Sequence, residues 1–98
     1  MSVHSISYDL RQPGQDYGQL IEQLKSLGGW CRPTASQWLV DTQLTIGQVQ
    51  DRLLPFIDAN DKLLISEVTG AMAWHGLAPE VVQWIRSRFG RGAAARRY

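Results

Sequence analysis

The feature that most constrains the fold of this chain is the order in which strand patterns and helix patterns follow one another. In the first segment, small polar and larger apolar side chains alternate with a period of two, as they do along a β-strand. The next segment repeats Tyr and Leu at steps of three and four, as one side of a helix does. Six such segments cover residues 3–9, 17–27, 30–32, 36–42, 46–57 and 62–68. They predict the order strand, helix, strand, strand, helix, strand.

This order predicts an α+β protein with a ferredoxin-like βαββαβ arrangement, in which an antiparallel sheet carries its two helices on one face. In the first strand, Ile6 and Tyr8 would face these helices. Ser5, Ser7 and Asp9 would lie on the opposite side, which we expect to be open. The first strand therefore predicts a small polar surface that ends in a carboxylate.

Turn and capping signals mark the ends of the helices. Thr45 and Gln48 match a capping box, in which each side chain accepts a hydrogen bond from the other residue's backbone amide, so the second helix should begin there. Pro55 lies late in that helix and predicts a kink or an early end. Gly28 is suited to ending the first helix.

A chain of 98 residues has room for a single hydrophobic core. We expect a ferredoxin-like domain over residues 1–70 and a C-terminal extension over residues 71–89, packed on the same domain. Pro79 would open a third helix in that extension, whereas residues 71–77 fit either an irregular loop or a short strand. Residues 90–98 would form a basic, flexible tail.

Charge is distributed unevenly along the chain. Residues 1–80 hold five basic and nine acidic side chains, whereas residues 81–98 hold five arginines and no acid. A separate basic end can bind a polyanion such as nucleic acid, and it can equally be a solvated extension. The candidate nucleic-acid-binding residues are Arg11, Arg32, Arg91, Arg96 and Arg97.

Several classes of site are absent from the sequence. It contains no glycine-rich phosphate loop, and His4 and His75 are too few and too far apart to propose a zinc site. The single cysteine, Cys31, excludes an internal disulfide. No apolar run approaches the length needed to cross a bilayer and the start does not resemble a signal peptide, so we expect a cytoplasmic protein without a membrane partner.

Asp9 is the residue best placed to carry chemistry. A carboxylate at a strand end on an open sheet face can meet its own mate across the two-fold axis of a homodimer. Two such carboxylates repel each other and favour a bound divalent cation, and Mg²⁺ suits a site with few carboxylates and many waters. The alternative is that Asp9 only ends the strand and accepts hydrogen bonds from amides of residues 11–14.

Four segments carry a resemblance to a known family. They are residues 5–10 (SISYDL), the leucine-rich first helix that ends at Gly28, residues 36–40 (SQWLV) and residues 61–65 (DKLLI). Together they resemble the small CRISPR-associated adaptation subunit superfamily, which includes virulence-associated ribonuclease toxins. Within it the chain is most similar to a SinR-like bacterial branch. The resemblance covers residues 3–68.

The resemblance implies a ferredoxin-like homodimer whose functional carboxylate is Asp9. It implies a Mg²⁺ ion shared by the two Asp9 side chains, which activates water for cleavage of RNA or DNA, with Ser36 as a possible supporting residue. The expected function is thus a nuclease-like protein, at best a metal-dependent endonuclease. Other members imply the alternative, a non-catalytic dimeric scaffold that binds nucleic acid or an unknown protein partner. A regulatory domain that binds a small molecule is a third hypothesis, and no pocket-forming motif supports it.

Overall fold

The structure, a computed structural model, describes residues 2–10 and 17–90. Within these residues the chain forms four strands and three α-helices, which confirms the predicted α+β class. The elements are β1 (Ser2–Asp9), α1 (Gly18–Ser26), β2 (Gly29–Thr34), β3 (Gln37–Thr42), α2 (Ile46–Leu53), a 3₁₀ turn (Leu54–Phe56), β4 (Lys62–Val68) and α3 (Pro79–Phe89). None of the described helices is both long and apolar enough to span a membrane.

The four strands form one antiparallel sheet in the order β2-β3-β1-β4. β1 lies inside the sheet, so that Ile6 is opposite Trp38 of β3 on one side and Ile65 of β4 on the other. In the described part of the chain, β2 and β4 are the sheet edges. This topology is compatible with a ferredoxin-like fold.

One face of the sheet, here called the helix face, carries α1 and α2. The even-numbered side chains of β1 and β3 point to it, as the alternation in the sequence predicts. Its fully buried core comprises Ile6, Leu20, Leu24, Leu27, Trp38, Val40, Val49 and Leu53. Each buried aliphatic side chain of this kind contributes about 1.5–3 kcal/mol from apolar burial, so this face supplies most of the driving force for folding.

The opposite face, here called the second face, carries α3. Val81 and Ile85 of this helix pack on Val3, Leu39 and Cys31 of the sheet. A salt bridge between Arg88 Nε and Asp41 Oδ2, 3.4 Å long, joins the end of α3 to β3. The guanidinium of Arg88 also lies over the Trp84 ring, 4.3 Å from its centroid. Val81, Ile85 and the Arg88 salt bridge therefore hold the helix over β2, β3 and the start of β1.

The rest of the second face lies on the second half of β1 and on β4 and is here called the open half. Strand register and alternation assign to it Ser7, Asp9, Lys62, Leu64 and Ser66. The three β4 residues and Asp9 are exposed, and Ser7 is half-buried. The sequence predicted a polar open face, and in the structure that face is only half open, because α3 covers the rest.

The helix-end signals agree with the structure. Thr45 Oγ1 accepts from the Gln48 amide at 3.1 Å, and Gln48 Oε1 accepts from the Thr45 amide at 2.9 Å, which confirms the capping box. The second helix ends at Leu53 and continues as the 3₁₀ turn that contains Pro55, as an early end predicts. Residues 71–77 carry no regular structure, so the loop interpretation applies.

The hairpin of β2 and β3 differs most from the sequence-based bounds. β2 extends to Thr34 through Pro33, with an irregular register between Cys31 and Thr34, and β3 begins at Gln37. A proline lacks the amide hydrogen that a central strand needs, but an edge strand with a bulge tolerates it. The turn therefore lies at residues 35 and 36, and β2 continues two residues beyond the end of the segment 30–32 that the sequence predicted.

Candidate functional site

Asp9 occupies the last position of β1, at the end of the sheet's open half. Its residue is exposed, and its cross-strand neighbour on β4 is Lys62. A shallow cavity of about 260 Å³ lies beside it, lined by Ser7, Tyr8, Asp9, Lys62, Leu63 and Leu64. A carboxylate in this position is accessible to a ligand or to a second chain.

The end of β1 also meets the β2–β3 turn, which holds two other residues that the sequence singled out. The Tyr8 amide donates to the Ser36 carbonyl at 3.1 Å, so the exposed Ser36 lies one residue away from Asp9 along this ladder. Arg32 donates to the Ala35 carbonyl from Nε at 3.1 Å and from Nη2 at 2.6 Å. Asp9, Ser36 and Arg32 therefore share one end of the sheet.

The Arg32 side chain, however, is held on the side of Tyr8 rather than on the side of Asp9. Its Nη2 lies 3.4 Å from the Tyr8 hydroxyl, and its guanidinium lies over the Trp38 ring, 5.2 Å from the centroid. Trp38 Nε1 donates to the same hydroxyl at 3.0 Å. These three side chains form a local network on the helix face, which gives Arg32 a structural role whatever else it binds.

The remaining arginines that the sequence singled out cannot be placed relative to Asp9. Arg11, Arg91, Arg96 and Arg97 lie outside the described residues. Their proposed contact with nucleic acid stays a prediction.

Lys62 and Leu64 are features of this site that reasoning from the sequence missed. Lys62 is directly opposite Asp9 in the β1–β4 ladder, where cross-strand side chains are close enough to interact. Leu64 is opposite Ser7 and is 69% exposed, the most exposed of the large apolar side chains in the described residues. The first and last strands are adjacent and antiparallel. A prediction of that pairing would have placed Lys62 and Leu64 beside Asp9.

A Mg²⁺ ion fits this site only in part. Across residues 2–10 and 17–90, no cluster of three or more His, Cys, Asp or Glu side chains is placed to hold a metal ion. Mg²⁺ commonly takes one or two carboxylates and completes its shell with waters and substrate phosphates. At the end of β1, Asp9 is a single carboxylate that could supply one ligand to such an ion.

The histidine of β1 belongs to packing rather than to this site. His4 is 3% exposed, and its Nε2 lies 2.9 Å from the Leu44 carbonyl oxygen. Its Nδ1 is buried without a hydrogen-bond partner among the described residues. His75 is exposed and lies in the segment before α3, away from the end of β1.

Comparisons with known proteins add no family assignment: no protein-family model matches the chain, and no solved structure matches it significantly.

Proposed function

We propose that this chain is a ferredoxin-like homodimer that acts on nucleic acid, in which one Asp9 from each subunit holds the Mg²⁺ ion of an endonuclease. The observation that carries the proposal is the position of Asp9, exposed at the end of β1 on the half of the sheet that α3 leaves open. The resemblance of residues 3–68 to the CRISPR-associated adaptation subunit superfamily supports the same assignment.

Leu64 supports the dimer. A leucine that is 69% exposed on the edge strand β4 gains stability when a second copy covers it. A two-fold axis through the open half would bring equivalent residues of the two copies together. Asp9 lies on that same half, so the contact that buries Leu64 also brings the two carboxylates towards each other.

The proposed chemistry divides between the ion and the protein. When bound, Mg²⁺ would activate water and stabilise charge on the phosphate. Asp9 would hold the ion, and the Lys62 ammonium beside it would bind a phosphate oxygen of the RNA or DNA backbone. Ser36 lies at the same end of the sheet and would be a supporting residue.

The test is the Asp9→Asn variant, which keeps the size of the side chain and removes its charge. Cleavage of RNA or DNA in the presence of Mg²⁺ or Mn²⁺ should fall by about 100-fold or more, the scale of losing a positioned catalytic carboxylate. The dimer should persist in sedimentation analysis. Asp51→Asn is the matched control, because Asp51 is exposed on α2 at the other side of the sheet, and it should cleave as the wild type does.

Two results would overturn the catalytic proposal. One is a wild-type protein that cleaves neither RNA nor DNA with either metal across the accessible pH range. The other is an Asp9→Asn variant with full activity. Wild-type binding without cleavage, unchanged in Asp9→Asn, would favour the non-catalytic scaffold instead.

A further inference from the structure

A separate cleft of about 510 Å³ opens between the second face of the sheet and the segment that leads into α3. Ser5, Gln37 and Leu39 form its sheet wall, and residues 71–77 form the wall opposite. Ile85 of α3 closes one side. Its volume falls in the range of about 300–1,000 Å³ that small-molecule sites occupy. Asp9 does not line it, so this cleft is independent of the proposed nuclease site.

The sheet wall of the cleft presents a fixed pair of polar side chains. Gln37 Nε2 donates to Ser5 Oγ at 3.1 Å, and both residues are half-buried. This bond uses one of the two N–H groups of the amide. Gln37 Oε1 remains as an acceptor and the second N–H as a donor on the same planar group. The pair therefore suits a ligand whose edge carries a donor next to an acceptor.

The opposite wall is mainly apolar and aromatic, with His75 as its polar side chain. Met72, Trp74 and Leu77 line it, and each is only partly buried although each packs on the core beneath α3. A flat aromatic ring gains both burial and favourable contact with an indole ring and a thioether. The shape and chemistry of this wall favour a planar heterocycle.

The charges of the cleft favour an uncharged ligand. Its described lining contains one acid, Glu67, and neither Lys nor Arg. The guanidinium of Arg86 lies over the Trp74 ring, 5.9 Å from the centroid, and so is already engaged by that ring. In the β1–β4 register Glu67 is opposite His4, which points to the helix face, so the Glu67 carboxylate is directed away from the cleft. Because the lining holds neither Lys nor Arg, the phosphate of a nucleotide would find no cation to pair with there, whereas a nucleoside carries no phosphate.

We infer that this cleft binds a purine nucleoside, with adenine preferred. The edge of adenine offers the N6 donor beside the N7 acceptor, which is the complement of a Gln amide. Guanine offers two acceptors at the same edge and would leave Gln37 Oε1 without a donor. The base would lie against Met72 and Trp74, and the ribose would face the mouth of the cleft.

Isothermal titration calorimetry of the wild-type protein with adenosine, guanosine and adenosine monophosphate tests the assignment. Adenosine should give saturable binding, and guanosine and adenosine monophosphate should each bind about tenfold more weakly or worse. Guanosine presents a mismatched polar edge, and the monophosphate carries a phosphate that finds no cation in the cleft. No saturable binding of adenosine up to its solubility limit would overturn the proposal. Equal affinity for adenosine and its monophosphate would overturn the requirement for an uncharged ligand.

The Gln37→Leu variant tests the residue that reads the base. It should bind adenosine at least about tenfold more weakly, because it removes both partners of the adenine edge. Gln50→Leu makes the same change at an exposed position of α2 and should bind as the wild type does. Thermal melting by circular dichroism checks that both variants fold.

A second variant keeps Gln37 and fills the cleft instead. Ala71 is exposed and lines the cleft, so Ala71→Phe should place a ring in the space of the base. We expect loss of adenosine binding with the melting temperature of the free protein retained. Wild-type affinity in both Gln37→Leu and Ala71→Phe would place the nucleoside elsewhere and overturn the proposal.

Discussion

At the scale of single residues, Cys31 shows how burial sets chemical reactivity. It lies between β2 and α3, 7% exposed and packed with Leu39 in the core beneath the helix. Burial raises the pKa of the Cys31 thiol to about 11, although the nearby Arg88 charge and a hydrogen bond from the Leu39 backbone both lower it. The thiol therefore stays protonated and a poor nucleophile at neutral pH.

This raised pKa predicts that the protein loses stability at alkaline pH. The unfolded thiol releases its proton near the ordinary cysteine pKa of 9.0, whereas the folded thiol keeps it to about 11. The unfolded state thus binds fewer protons in this window, and the free energy of unfolding falls as pH rises through it. Between about pH 8 and about pH 10.5 the loss due to Cys31 should be roughly 1–2 kcal/mol.

Urea unfolding of the wild type and of Cys31→Ala at those two pH values measures the loss. Other groups also titrate in this range, so the quantity to compare is the difference between the two proteins. The wild type should lose more stability than Cys31→Ala as pH rises. Parallel pH profiles would show that the thiol is accessible to solvent and titrates alike in both states.

At the scale of elements, the start of α2 depends on its capping box. This helix has only eight residues, and helices of that length do not form without support from caps and packing. We expect Thr45→Ala to lower the free energy of unfolding by about 1 kcal/mol, because the Gln48 amide loses its acceptor. Gln50→Ala, on the exposed side of the same helix, should leave the protein as stable as the wild type or slightly more stable.

Chemical denaturation of the two variants beside the wild type measures this difference. If Thr45→Ala and Gln50→Ala are equally stable, packing of Val49 and Leu53 alone determines the helix, and the cap adds nothing measurable.

Local sequence patterns correctly predicted those elements whose bounds do not depend on which other elements lie beside them in the fold. β4 has the predicted bounds of residues 62–68, because a polar turn precedes it and an apolar run defines it. β2 was predicted too short. A strand can include a proline such as Pro33 when it lies at a sheet edge, and a local sequence pattern does not show that β2 is an edge strand. Gly28 was interpreted as a helix end. In the structure a Cβ there would also collide with the Asp41 carbonyl, a contact made across the fold.

The same distinction applies to the candidate site. Alternation along β1 was enough to put Asp9 on the second face, at a strand end. To predict that Lys62 and Leu64 lie beside Asp9, one must know which strands are neighbours. To predict that α3 covers part of the second face, one must know on which face the last helix packs. Those are long-range facts, and a single sequence carries them only weakly.

At the scale of the whole molecule, the open half of the second face predicts how copies of the chain associate. If that half is the interface of the proposed dimer, Leu64→Glu should convert the dimer to a monomer. The substitution would bury the new carboxylate of one copy against the same carboxylate of the other copy. Leu54→Glu is the matched control: Leu54 is 47% exposed in the 3₁₀ turn, away from this face, and the variant should remain dimeric.

Sedimentation equilibrium over a range of protein concentrations measures both variants. A dimer that persists in Leu64→Glu but dissociates in Leu54→Glu would move the interface to the other side of the sheet. A wild type that is monomeric throughout would leave two Asp9 residues no route to a shared ion.

The division of the second face also bears on how the chain folds while it is being synthesised. Every strand of the sheet and both helices of the helix face precede residue 69, whereas the helix that covers Val3 and Leu39 comes after it. During synthesis these earlier segments leave the ribosome before α3 does. A sheet formed without α3 would have its helix face covered and would leave a bare side, on which Val3, Cys31 and Leu39 are exposed. Until α3 arrives, that bare side is the surface on which a chaperone or another nascent chain would dock.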